Sequence, residues 1–122
     1  MTRIAAALVS LLLLGTAHAD QTAQKTIADV YQDKAALAGQ PVTIHGKVVK
    51  VNNNIMNRNW LHLQDGSGDA AAGTNDVAIT SDDTAAMGDE ITVTGTVAVD
   101  LDFGAGYKYP LLIEKATIVK GQ

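Results

Sequence analysis

The side chains with the widest chemical range crowd into two short stretches. Asn52-Asn53-Asn54-Ile55-Met56-Asn57-Arg58-Asn59-Trp60 holds five asparagines, the only arginine besides Arg3, and the only tryptophan. Asp100-Leu101-Asp102-Phe103-Gly104-Ala105-Gly106-Tyr107 holds the only phenylalanine. Two residues beyond Trp60 stands His62, and residues two apart on a strand share a face. The first chemistry this suggests is recognition, with Trp60 as apolar anchor, Arg58 and His62 as polar handles, and Phe103 and Tyr107 closing over a partner or ligand. The second is metal handling. Neutral imidazole with thioether sulfur suits Cu(I), and Met56, His62 and His45 are the donors for it. The competing structural reading packs Trp60 under a helix and leaves His62 hydrogen-bonded or solvated.

Other chemistries find less support. With no cysteine, thiolate metal sites, disulfides and a cysteine nucleophile are excluded. Ser67 and Ser81 have no histidine base nearby in sequence, and no enzyme activity is expected. Asp65-Gly66-Ser67-Gly68-Asp69 and Asp100-Leu101-Asp102 lack the spacing and bidentate glutamate of a calcium loop, and turn chemistry accounts for the first. Gly104-Ala105-Gly106 does not lead into a helix, so it is no phosphate cradle.

The elements that must position these residues are mostly strands. Ile27, Val30, Tyr31, Leu37 and Ala38 recur at helical spacing after a capping Thr26 or Asp29, and Gly39-Gln40-Pro41 closes them, which predicts one helix over 27–38. Strands follow at 42–51, 59–64, 76–80, 90–99 and 109–119. The loops between the first and second and between the fourth and fifth are 52–57 and 100–106. Residues 81–88 form a connector with room for one helical turn. Leu61 and Leu63 are the inward partners of Trp60 and His62. Gly46 and Gly95 lie inside strands, where glycine marks a bulge or sharp bend. Five strands, two of them bent, with a connector between the third and fourth, predict an all-β fold with one N-terminal helix: a five-stranded OB-fold Greek-key barrel. A small open β-sandwich is the alternative. OB-folds bind ligands on the second and third strands between these same two loops.

The N-terminus adds an address. Met1-Thr2-Arg3, an apolar run over 4–14 and Ala17-His18-Ala19 form a signal peptide pattern, too short to span a bilayer. Cleavage after Ala19 is expected, then a flexible stretch over 20–26 and a single domain over 27–120, soluble in the periplasm with no membrane anchor. Loss of Arg3 would leave 8 basic residues against 13 acidic, moving the net charge from −4 to −5. So acidic a chain neutralises few phosphates, and oligonucleotide binding rests on fold analogy alone.

Three runs carry a family likeness: Gly46-Lys47-Val48-Val49-Lys50-Val51-Asn52, Asn59-Trp60-Leu61-His62-Leu63-Gln64-Asp65-Gly66-Ser67-Gly68 and Asp102-Phe103-Gly104-Ala105-Gly106-Tyr107. With the helix before them, they resemble small exported bacterial OB-fold proteins labelled NrfJ-like. The resemblance implies export and an association with periplasmic cytochrome c nitrite reductase operons, hence with respiratory cytochrome machinery. Some of those proteins carry a haem-attachment Cys-x-x-Cys-His. This chain has no cysteine, so covalent haem does not carry over. Cu(I) and non-covalent haem are the remaining cofactor candidates, and the expected partner is a periplasmic protein or small ligand.

Overall fold

A computed structural model describes residues 22–121. The proposed signal peptide, with Asp20 and Gln21, lies outside the described residues. Two short helices, α1 (Ile27–Gln32) and α2 (Lys34–Leu37), precede five strands: β1 (Pro41–Ile55), β2 (Arg58–Gln64), β3 (Asp76–Ser81), β4 (Glu90–Asp102) and β5 (Lys108–Lys120). The strands pair in the ring β1-β2-β3-β5-β4, and β1 also pairs with β4, so the ladder closes on itself. All pairings are antiparallel except β3 with β5. This mixed five-stranded sheet is OB-fold-like.

The expected single helix over 27–38 is two helices, because Asp33 leaves helical geometry at φ −103° and ψ 16°. Thr26 caps α1 as its position suggested, its Oγ1 accepting from the Asp29 amide at 3.1 Å. A more distant partner completes this end. Asp65 Oδ2 accepts from the Ile27 amide at 2.9 Å, and Ser67 Oγ accepts from the Ala28 amide at 3.0 Å. Asp65-Gly66-Ser67-Gly68 is therefore more than a turn, since it holds the start of α1 against the sheet. Ahead of α1, Gln24 bridges Thr43 and the Lys25 amide donates to the Thr43 carbonyl at 2.8 Å.

Ile27 and Val30 from α1 join Val42, Ile44, Leu61, Leu63, Ile79, Ile91, Val93 and Ile113 in one fully buried core. Each such side chain contributes roughly 1.5–3 kcal/mol of hydrophobic stabilisation. The two interior glycines stand where a neighbouring segment passes close. A Cβ on Gly46 would stand 2.6 Å from the Gln64 carbonyl oxygen, and one on Gly95 2.8 Å from the Glu114 carbonyl oxygen.

The strands run further than the sequence suggests. Asn52-Asn53-Asn54 does not break β1, which continues to Ile55 and turns on Met56 and Asn57 alone. Both have positive φ, 53° and 66°, as a tight hairpin of this twist requires. β4 likewise continues through Asp100, also at positive φ, to Asp102. The expected loop over 52–57 is thus largely hairpin arm, while the one over 100–106 gives 100–102 to β4 and keeps 103–106 as loop. The connector after β3 contains no helix. Ser81 Oγ accepts from the Asp83 amide, making a turn, and donates to the Ala116 carbonyl. A 3-10 turn at Ala70–Ala72 was not visible in the sequence pattern.

Candidate functional site

Between the β1–β2 and β4–β5 hairpins lies a groove of about 600 Å³. Lys50, Asn52, Ile55 and Met56 line it from β1 and its turn. Trp60 and His62 come from β2, and Phe103, Gly104, Ala105, Tyr107 and Tyr109 from the opposite hairpin. Four of the five residues proposed for recognition meet here: Trp60, His62, Phe103 and Tyr107.

Their roles differ from one another. Trp60 is only 6% exposed, and its Nε1–H donates to the Ile55 carbonyl at 2.9 Å. It packs with Ala78 and Leu112 in a second, outer cluster. Phe103 meets it edge-on at 5.6 Å, Tyr109 lies tilted by 33° at 5.4 Å, and Phe103 and Tyr109 lie 5.9 Å apart. Such pairs contribute roughly 0.5–1.5 kcal/mol beyond the area they bury. Trp60 therefore builds the groove and pins the turn that carries Met56. It does not lie beneath the N-terminal helices, as the structural alternative held. The surface open to a ligand belongs to Ile55, Met56 and Tyr107, exposed at 49%, 51% and 64%.

His62 is held from behind. Its Nδ1 lies 2.6 Å from Asp76 Oδ1, and a carboxylate only accepts, so Nδ1 carries a proton and Asp76 engages that side of the ring. Asp76 Oδ2 accepts from Gln64 Nε2 at 3.1 Å. The Asp76 backbone carbonyl accepts from the Tyr31 hydroxyl at 2.6 Å, which ties α1 to the same strand. Burial, and then the Asp76 charge, push the Tyr31 phenol above its ordinary 10.0.

Arg58 and His45 are elsewhere. Arg58 lies 3.8 Å from Glu114 and lines a second hollow of about 560 Å³, adjoining the groove at Met56, with Thr80 to Asp83 and Glu114 to Thr117. In this hollow Thr80 Oγ1 is buried without a hydrogen-bond partner. His45 bonds Thr92 at 3.1 Å, has Nε2 3.2 Å from Glu90 Oε1, and lines a third hollow with Gln24 and Val119. It pairs across to β4 and does not meet His62 across β1 and β2. Of the three proposed copper ligands, Met56 and His62 share the groove and His45 does not. Among the described residues, no group of three or more His, Cys, Asp or Glu is arranged to hold a metal ion.

Sequence reasoning missed Lys50, Ile55 and Tyr109. For Tyr109, the signal was its spacing of two from Tyr107. Lys50 was hidden by a bulge. Val48 pairs with Leu63 but Lys50 with His62, so β1 spends one extra residue there and its alternation flips. Without the bulge Lys50 would follow Val42, Ile44 and Val48 inward.

No family model matches the chain, and no curated protein matches it. Among solved structures it is similar to a putative aspartyl-tRNA synthetase from Leishmania major Friedlin, with a TM-score of 0.54 and 12% identity. That match covers 92% of this chain and 23% of the other, so the chain spans about a quarter of the synthetase's length. At that identity the likeness shows the fold alone, which sets the class as a small OB-fold-like β protein.

Proposed function

We propose that this is an exported OB-fold binding module whose closed ring is a Greek-key barrel. It recognises a protein partner or small ligand in the groove between its two hairpins. The observation that carries this reading is the grouping of Ile55, Met56 and Tyr107, all about half exposed or more, over a rigid aromatic floor. Exposed apolar side chains scattered singly mean little, but a concave cluster on a fixed base is what a binding site requires. Lys50 and His62 supply the polar contacts, and Arg58 is replaced in that role by Lys50. The N-terminal signal pattern supports the periplasm as its place. The NrfJ-like resemblance supports service to respiratory cytochrome machinery.

The test is nuclear magnetic resonance mapping of the isotope-labelled protein against a library of small aromatic and polar fragments. Shifts should concentrate on residues 50–56, 60–62 and 103–109. Shifts concentrated around Arg58 and Glu114 would refute the reading.

Cu(I) handling is the second reading, favoured by Met56 and His62 lining one groove. It predicts that Cu(I) under reducing conditions perturbs the Met56 methyl and the His62 ring, and that Met56→Leu removes both effects. Unshifted Met56 and His62 signals at stoichiometric Cu(I) would remove it.

A further inference from the structure

The groove has a charge character opposite to that of the chain. Among 122 residues, 13 are acidic and 9 are lysine or arginine, yet none of the groove-lining residues is acidic. Lys50 stands directly across the ladder from His62, on the same outer face, and Asn52 stands across from Trp60. Two carboxylates border the groove and both are engaged: Asp76 by His62 and Gln64, and Asp102 by the Gly104 amide at 2.8 Å. Beside this basic corner lie the rings of Phe103, Tyr107 and Tyr109.

From this juxtaposition we infer that the groove takes a small aromatic anion, a planar ring bearing one carboxylate, sulfonate or phosphate. This rests on the binding reading above and narrows its ligand class. The ring lies against Tyr107 and Met56, over the aromatic floor, and the anionic group meets the Lys50 ammonium. Asn52 offers an amide donor next to it. A single lysine matches a single anionic group. It does not match a polyanion, whose binding draws on many cations at once. An anion without a ring would forgo the apolar wall, and a neutral ring would leave Lys50 unused.

Two dyes of similar shape separate these contributions: anionic 1-anilinonaphthalene-8-sulfonate and neutral N-phenyl-1-naphthylamine, each titrated by fluorescence into the folded protein. The sulfonate should bind more tightly than the neutral dye. Lys50→Gln should weaken the sulfonate about fivefold, the scale of one partly exposed ion pair, and leave the neutral dye unchanged. Lys47→Gln, which makes the same change of net charge on an exposed position of β1, should leave both unchanged. Tyr107→Ala should weaken both dyes. Equal loss of sulfonate binding in Lys50→Gln and Lys47→Gln, or none in either, would overturn the anion assignment while Tyr107→Ala still upheld the groove. Insensitivity of both dyes to Tyr107→Ala would overturn the groove reading as well.

Discussion

Replacing Trp60 separates the building of the groove from the binding in it. The indole is 6% exposed, contacts Phe103 and Tyr109, and donates its N–H to the Ile55 carbonyl. Trp60→Ala therefore removes a buried aromatic at a cost of about 3–5 kcal/mol. A domain of this size has a total stability of roughly 5–15 kcal/mol, so the alanine variant loses about a fifth of it or more. Any loss of binding in that variant would report damage to the fold rather than loss of a contact. Trp60→Phe is the sharper test. It keeps a ring in the outer cluster but deletes the donor to Ile55. The freed carbonyl belongs to a half-exposed residue and can turn to water, so the deleted hydrogen bond costs about 1 kcal/mol. The smaller ring adds a similar amount, for a total of about 2 kcal/mol. Urea unfolding followed by circular dichroism measures this, since the variant has no tryptophan left to fluoresce. Amide hydrogen exchange should rise at residues 54–58 and stay unchanged in β3. A loss below about 0.5 kcal/mol, or unchanged exchange at the turn, would refute the anchoring role.

Three further perturbations probe the parts that hold this site. Asp65→Ala leaves the buried Ile27 amide without its acceptor and should cost about 2 kcal/mol in urea unfolding, with Asp65→Asn costing less. Thr80→Val removes a buried hydroxyl that has no partner at nearly constant shape, and should raise stability by about 1 kcal/mol; a lower midpoint would show that the hydroxyl is satisfied. Because the Tyr31 pKa is raised, its contribution to stability is full below pH 10.0 and is lost as pH rises through the folded value. Ultraviolet titration should show one tyrosine ionising later than the rest, and Tyr31→Phe should abolish that late step.

The OB-fold-like class was legible because its signals are local. Glu90 to Val99 alternates without interruption, Leu61 and Leu63 mark the inner face of β2, and Thr26 caps the helix it precedes. The mid-strand glycines were expected to mark bulges or bends; at Gly46 and Gly95 the structure shows instead another chain segment too close for a Cβ. The break at Asp33 was less visible, because Gln32 before it and Lys34, Ala35, Ala36 and Leu37 after it all favour helix.

The candidate site shows where local reading stops. Sequence alone determined that Trp60 and His62 share the outer face, that Phe103 and Tyr107 come from the facing hairpin, and that no thiol chemistry occurs. Tertiary structure decided which residues meet. Arg58 has the same parity as Trp60, yet the turn at Met56–Asn57 and the pull of Glu114 put it in another hollow. His45 is bound to β4 rather than turned toward His62, because β1 changes partners along its length. Lys50 reaches the groove only through the bulge near Val49, which reverses the inside and outside of β1. Alternation is a property of one strand, but a bulge exists only between two. The composition of the site could therefore be read residue by residue, while its assembly awaited the register.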